Sequence, residues 1–158
     1  MMVSGNATRS PLNVILVEDD DADAKAVRRA LSRSDDIGDI VRLNDGVEAL
    51  AYLRGETPSR PPRTFVLLVD LNMPRMNGIE FLEILRRDPK LARSVVFVTT
   101  TSHDPDDIAA AYDKQVAGFL PKSAAFARAA DLRAAFEHYG RLVTLPEIGG
   151  WSGSWPGR

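Results

Sequence analysis

The chain of 158 residues carries a formal net charge of −2, and 44% of its residues are hydrophobic and 27% charged. This length and composition are typical of one globular domain with a sizeable core. The chain has no cysteine and two histidines, which excludes disulfides and thiol catalysis and disfavours a cysteine or histidine metal site. No basic block indicates nucleic-acid binding, no apolar run reaches the roughly 18 residues of a membrane span, and no signal peptide is visible. We therefore expect a cytoplasmic protein without a nucleic-acid or membrane partner.

The hydrophobic pattern predicts five strands that alternate with five helices. The predicted strands are 13–17, 39–43, 65–69, 94–99 and 117–121. The predicted helices are 22–32, 46–53, 78–87, 104–112 and 126–139, with Gly140 as the C-cap of the last one. Runs such as VILV and FVLLV are apolar on both faces, as in strands that helices cover on both sides. The pattern therefore predicts an α/β fold built on a parallel sheet.

The remaining segments divide the chain into three parts. Residues 1–11 are predicted to be a flexible polar leader, 12–141 the folded domain, and 142–158 a C-terminal extension that becomes a loose tail from 148. Residues 55–63 contain three prolines and are predicted to be a loop.

Polar side chains follow the ends of four predicted strands. In chain order they are Glu18, Asp19 and Asp20, then Asp70 and Asn72, then Thr100, Thr101 and Ser102, and then Lys122. Ligands bind at the carboxyl ends of parallel strands, so we expect these groups to meet at one edge. Clustered carboxylates need a cation, and oxygen ligands alone suit a hard one such as Mg²⁺. An aspartate beside Mg²⁺ and a lysine is a nucleophile suited to forming an aspartyl phosphate.

These residues resemble those of the receiver domain of two-component response regulators, the CheY-like family, over about residues 12–139. The resemblance rests on the pair Glu18 and Asp19, on the motif DLNMPRMNG that begins at Asp70, and on Thr100 and Lys122 at the family's spacing. It implies a doubly wound, five-stranded parallel sheet in the order 2-1-3-4-5, with helices on both faces (flavodoxin/CheY-like).

The resemblance also implies a phosphorylation site. Asp70 would accept a phosphoryl group from a sensor histidine kinase. Mg²⁺ would be held by Asp19 directly, by Glu18 through water, by Asp70, and by the backbone carbonyl of Asn72. Lys122 would contact a phosphoryl oxygen. Apart from catalysing its own phosphorylation and dephosphorylation, such a protein is not an enzyme.

A conformational switch is implied as well. Thr100 would swing toward the phosphoryl group and Phe119 would follow it inward, which would change the surface of the fourth helix, fifth strand and last helix. Asn72 and Ser102 would flank the water path and tune dephosphorylation. The chain departs from the family at 121–123, where Pro-Lys-Ser replaces a Lys-Pro pair with a cis bond, and Phe119 lacks a tyrosine hydroxyl.

A narrower resemblance concerns the loops and the C-terminal extension. TTSHDPDDI (100–108), GFLPKS (118–123), the loop at 55–63 and RLVTLPE (141–147) resemble stand-alone response regulators of phytochrome-type histidine kinases. In that group the extension supports a homodimer. The implied partners are a histidine kinase, with a bacteriophytochrome as candidate, a second copy of the chain, and a downstream protein or phosphotransfer domain.

Several alternatives stay open. Asp70 could be a turn residue, and Asp21 and Asp23 are explained by the dipole of the first helix. A dehalogenase-type phosphatase would need a second acid where Asn72 stands, and a flavodoxin-like cofactor binder would need a phosphate loop where the acids follow strand one. A degenerate receiver that acts as a phosphorylation-independent docking module keeps all these residues without the reaction.

Overall fold

The structure, a computed structural model, describes residues 10–149. Its strands are β1 Leu12–Val17, β2 Ile37–Leu43, β3 Val66–Asp70, β4 Val95–Thr100 and β5 Gly118–Pro121. Its helices are α1 Asp21–Leu31, α2 Gly46–Leu53, α3 Gly78–Arg87, α4 Pro105–Asp113, α5 Lys122–Ala125 and α6 Ala129–Leu142. The predicted strands and first four helices are all present. The predicted last helix, 126–139, corresponds to α6, which begins and ends three residues later, and the short α5 before it was not predicted.

The five strands form one parallel sheet in the order β2-β1-β3-β4-β5, as predicted. Alternate side chains of β1 enter different cores: Val14 and Leu16 face α1 and α6, whereas Ile15 and Val17 face α2 and α3. Every residue of β3 is buried, because this strand lies at the centre of the sheet with helices over both faces. The predicted doubly wound α/β fold is confirmed.

The helices that follow the first four strands begin with side-chain caps. Asp20, Asp45, Asn77 and Asp104 precede α1, α2, α3 and α4, and each accepts a hydrogen bond from a backbone N–H in the first turn. Each cap follows a strand at the carboxyl edge of the sheet. This edge therefore carries local capping residues as well as the predicted site.

The predicted end of the last helix, with Gly140 as its C-cap, is wrong. Gly140 lies inside α6, which continues to Leu142 before Val143 ends it. A Cβ atom at Gly140 would lie 3.1 Å from Cβ of Leu12 at the start of β1. The glycine therefore allows the helix to approach the sheet closely, and it is not a C-cap.

The C-terminal strap, residues 143–149, crosses the amino edge of the sheet. Leu145 packs against the core under α1 and α6, whereas Ile148 is 3% exposed and belongs to the core on the opposite face. The backbone N–H of Ile148 donates to Arg63 (2.9 Å), and that of Gly149 donates to Lys90 (3.1 Å). Ile148 was assigned to the loose tail because its glycine-rich surroundings concealed this distant contact. The rest of the predicted tail and residues 1–9 of the leader lie outside the described residues.

Within residues 10–149, no helix combines the length and hydropathy required to cross a membrane.

Candidate functional site

The predicted site residues meet at the carboxyl edge of the sheet. Asp70 and Thr100 are the last residues of β3 and β4, Glu18 directly follows β1, and Lys122 directly follows β5. Carboxylate oxygens of Glu18, Asp19 and Asp70 all lie within 4.8 Å of one another. The fold therefore gathers acids that are far apart in the chain into one cluster.

The hydrogen bonds of Asp70 explain why the fully buried strand β3 ends in a charged residue. One oxygen, Oδ1, accepts a hydrogen bond from the backbone N–H of Asn72 (3.1 Å), and Oδ2 accepts one from Nζ of Lys122 (3.2 Å). The loop after Asp70 returns close to the strand, since a Cβ atom at Gly78 would lie 2.6 Å from Cα of Leu71 and 2.8 Å from the Asp70 carbonyl oxygen. The motif's glycine is therefore required where α3 begins against this backbone.

Lys122 is the cation of the cluster and is 8% exposed. Its Nζ lies 2.8 Å from Glu18 Oε1, 2.7 Å from Asp23 Oδ2 and 3.2 Å from Asp70 Oδ2. Burial alone would lower the pKa of Lys122, but the hydrogen bonds to Asp23 and Glu18 and the charge of Asp70 raise it above its usual value. The ammonium group therefore donates hydrogen bonds to Asp23 and Asp70 and forms an ion pair with Glu18.

Glu18 and Asp19 differ sharply although they are neighbours. Glu18 is 1% exposed, whereas Asp19 is exposed. Burial is the largest influence on Glu18 and, with Asp70 nearby, raises its pKa from 4.5 to about 8 against the lowering effect of Lys122. A cation that binds here would displace the proton from Glu18. It would also contact the carboxylate of Asp19, which is exposed to solvent.

The donor set fits a hard divalent cation. Glu18, Asp19 and Asp70 offer carboxylate oxygens at the mouth of the site, and no histidine or cysteine joins this cluster among the described residues. The predicted metal contribution of the Asn72 backbone carbonyl stays a prediction.

A second group of hydrogen bonds surrounds Thr100. Its buried Oγ1 accepts from Asn72 Nδ2 (3.1 Å) and from the backbone N–H of Ser102 (3.2 Å). Ser102 Oγ donates in turn to Asp107 Oδ2 at the start of α4 (2.5 Å). The structure therefore links Asn72, Thr100 and Ser102, while their roles in switching and dephosphorylation stay predictions.

Phe119 and the β5–α5 turn lie beside this group. Phe119 is half-buried on β5 and packs against the core under α2 and α3. Its role as a switch residue stays a prediction. No peptide bond among residues 10–149 is cis, and Pro121 leads directly into α5 with φ −58° and ψ 134°. Lys122 nevertheless reaches Asp70 through this different turn.

Two residues that shape the site were not predicted. Arg42 of β2 donates to the backbone carbonyls of Glu18 (3.0 Å) and Asp19 (3.1 Å) and to Asp21 Oδ1 (2.6 Å), so it fixes the loop after β1. Asp23, assigned to the dipole of the first helix, instead contacts Lys122.

Residues 14–136 match the family described as the response regulator receiver domain. The chain belongs to this family. Response regulators are signalling proteins of two-component systems that act with histidine kinases, rather than classical enzymes. The family resemblance carried by Glu18, Asp19, Asp70, Thr100 and Lys122 is therefore confirmed.

This receiver domain is similar to the response regulator Rcp1 of Synechocystis sp., with 38% identity over 114 residues, or 72% of this chain and 78% of Rcp1. A solved structure of the phosphorylated cyanobacterial phytochrome response regulator RcpA has 35% identity and a TM-score of 0.75, covering 87% of this chain and 100% of RcpA. The Mn²⁺-bound form of Rcp1 has 36% identity and a TM-score of 0.70, covering 86% of this chain and 99% of Rcp1. The receiver fold thus extends over most of the present chain.

Proposed function

We propose that this receiver domain accepts a phosphoryl group on Asp70 from a histidine kinase and thereby switches a protein-binding surface. The proposal is carried by one observation: Asp70 lies in the acidic cluster and also contacts Lys122. In the transfer, an Asp70 carboxylate oxygen bonds to phosphorus while the bond from phosphorus to the kinase histidine nitrogen breaks.

Mg²⁺ is the proposed cation, held by Glu18, Asp19, Asp70 and the Asn72 carbonyl. When bound, it neutralises negative charge on the carboxylates and phosphoryl oxygens. The Mn²⁺-bound form of Rcp1 supports a divalent ion in a similar protein. Lys122 supplies the second positive charge through its contact with Asp70 Oδ2.

The proposed switch begins at Thr100. Its hydroxyl, now tied to Asn72 and Ser102, would turn to a phosphoryl oxygen, and Phe119 would move toward the space that it leaves. Asn72 and Ser102 would then be free to shape the approach of the water that removes the phosphoryl group. The affected surface is formed by α4, β5 and α6.

The kinase is proposed to be of the phytochrome type, because RcpA is a phytochrome response regulator. A cytoplasmic location and a downstream protein or phosphotransfer partner belong to the same proposal.

The first test is phosphoryl uptake. Wild type and Asp70→Asn are incubated with acetyl phosphate, with and without Mg²⁺, and separated on a phosphate-affinity gel. We expect a shifted band only for wild type with Mg²⁺, since the substituted amide side chain lacks the nucleophilic carboxylate. A shift that persists in Asp70→Asn would contradict the assignment. No shift in wild type, either with acetyl phosphate or with a phosphorylated kinase, would favour the docking module.

A homodimer is part of the proposal, and Leu142 gives it a specific test. This residue ends α6 and is 81% exposed, which is unusual for a large apolar side chain. Light scattering should give a dimer mass for wild type and a monomer mass for Leu142→Glu, because the carboxylate would be buried without a partner. Leu142→Ser, which is smaller and uncharged, is the milder companion variant. An unchanged mass for both would remove α6 from the interface.

A further inference from the structure

We propose that Asp23 is a positioning residue that holds the Lys122 ammonium group in place during phosphoryl transfer to Asp70. The inference rests on the proposed function and assigns a role to a residue outside the predicted site. Asp23 contacts none of the reacting atoms, so it acts through Lys122.

The backbone of Asp23 is held in place for its contact with Lys122. Asp23 lies in the first turn of α1, where its backbone N–H donates to the capping carboxylate of Asp20 (2.9 Å). Its Oδ2 is 2.7 Å from Lys122 Nζ, the shortest of that group's three carboxylate contacts. The Asp23 side chain is 29% exposed, so the bond is largely shielded from solvent. The capped first turn of α1, which follows β1, thus places the Asp23 carboxylate against Lys122, which follows β5.

The three partners of Lys122 are not equivalent once a cation binds. Glu18 and Asp70 belong to the acidic cluster, so a divalent cation would share their oxygens with Lys122. Asp23 lies outside that cluster and has no such competitor. It is therefore the partner that can keep its bond to Lys122 while the other two change theirs.

This difference matters because a lysine side chain is flexible. Its four-carbon stem gives the ammonium group freedom to follow whichever anion is nearest. With one donor held by Asp23, the donor now on Asp70 Oδ2 can pass to a phosphoryl oxygen without displacement of the whole side chain. Only hydrogen bonds are exchanged in this step, and Lys122 keeps all its protons.

Asp23→Ala removes the anchor, and Asp21→Ala is the matched control. Both residues lie in the first turn of α1, but Asp21 pairs with Arg42 and not with Lys122. At saturating Mg²⁺, we expect uptake from acetyl phosphate to slow about tenfold in Asp23→Ala, in keeping with the loss of one charge-assisted hydrogen bond. Asp21→Ala should react like wild type, because Arg42 keeps its hydrogen bonds to the backbone carbonyls of Glu18 and Asp19. Asp23→Asn, which keeps an acceptor without its charge, should fall between.

A double-mutant cycle separates positioning from other effects. In a Lys122→Ala background, Asp23→Ala should cause no further loss, because the group that it positions is gone. The same loss in both backgrounds would overturn the proposal. So would an equal loss in Asp21→Ala, which would indicate a general effect of charge on α1, or an uptake rate unchanged by Asp23→Ala.

A second measurement does not depend on phosphorylation. Hydrogen exchange of the Lys122 ammonium protons, followed by NMR in the presence of Mg²⁺, should be faster in Asp23→Ala than in wild type and Asp21→Ala. Equal exchange in all three proteins would show that Asp23 does not hold Lys122. If wild type takes up no phosphoryl group, the proposed function fails, and this exchange still decides whether the anchor exists.

Discussion

The two edges of the sheet are held by different kinds of contact. At the carboxyl edge, three acids surround one buried lysine, and the pKa of Glu18 is raised to about 8 by burial. At the amino edge, the strap adds apolar side chains to both cores and makes backbone hydrogen bonds to the loops before β3 and β4. The comparison indicates that the proposed chemistry lies at one end of the strands, whereas apolar and backbone contacts of the strap close the other end.

The largest expected effect on stability is at the strap. Ile148→Ala should lower the free energy of unfolding by about 2–3 kcal/mol, because it removes a buried side chain and leaves a cavity. Urea unfolding gives this difference, and Val47→Ala, at an exposed position on α2, is the control. Phosphoryl uptake by the folded variant should match that of wild type. Impaired uptake would show that the two edges are coupled, which would contradict the separation of their roles.

Arg86 provides a second test of the amino edge. Its guanidinium donates to the backbone carbonyls of Lys114 (2.8 Å), Gln115 (2.9 Å), Ala92 (2.8 Å) and Ser94 (2.6 Å), joining α3 to the segments before β4 and β5.

Arg86→Lys should cost about 2 kcal/mol of unfolding free energy, since an ammonium group cannot reach all four carbonyls. The control is Arg87→Lys, the neighbouring exposed arginine, which pairs with Glu83 on the helix surface. Equal unfolding free energies for the two variants would mean that the carbonyl contacts of Arg86 contribute little. The measurement is again urea unfolding.

The effect that is expected at the carboxyl edge depends on pH. Because the pKa of Glu18 is raised from 4.5 to about 8, the folded, metal-free protein keeps a proton that the unfolded chain loses in this interval. The contribution to stability is complete below pH 4.5 and is lost as the pH rises through about 8. Unfolding of wild type and Glu18→Gln in a chelator, compared at several pH values, isolates this contribution.

We expect the stability of wild type relative to Glu18→Gln to fall as the pH rises. Saturating Mg²⁺ should oppose the fall, since the cation binds the deprotonated carboxylate. A difference between the two proteins that does not change with pH would contradict the raised pKa.

The sequence predicted the sheet and the core of the site because both have local signals. Apolar runs marked the strands, and the polar residues just beyond them, such as Asp70 and Thr100, had to meet at one edge. The Asp23–Lys122 contact joins residues 99 positions apart, so no local pattern records it. Ile148 was missed for a similar reason, since a single apolar residue near glycines carries no periodic signal. Gly140 was misassigned because a glycine that permits close packing looks the same in sequence as one that ends a helix.

The position of the strap also affects how the protein is made. Residues 143–149 leave the ribosome after all five strands, so the two cores must first assemble without Leu145 and Ile148. During that interval, the core that contains Leu53 and Leu91 lacks the side chain of Ile148. A chain whose synthesis stops before Ile148 would carry the complete acidic cluster and Lys122 on a domain that chaperones and proteases can still recognise as unfinished.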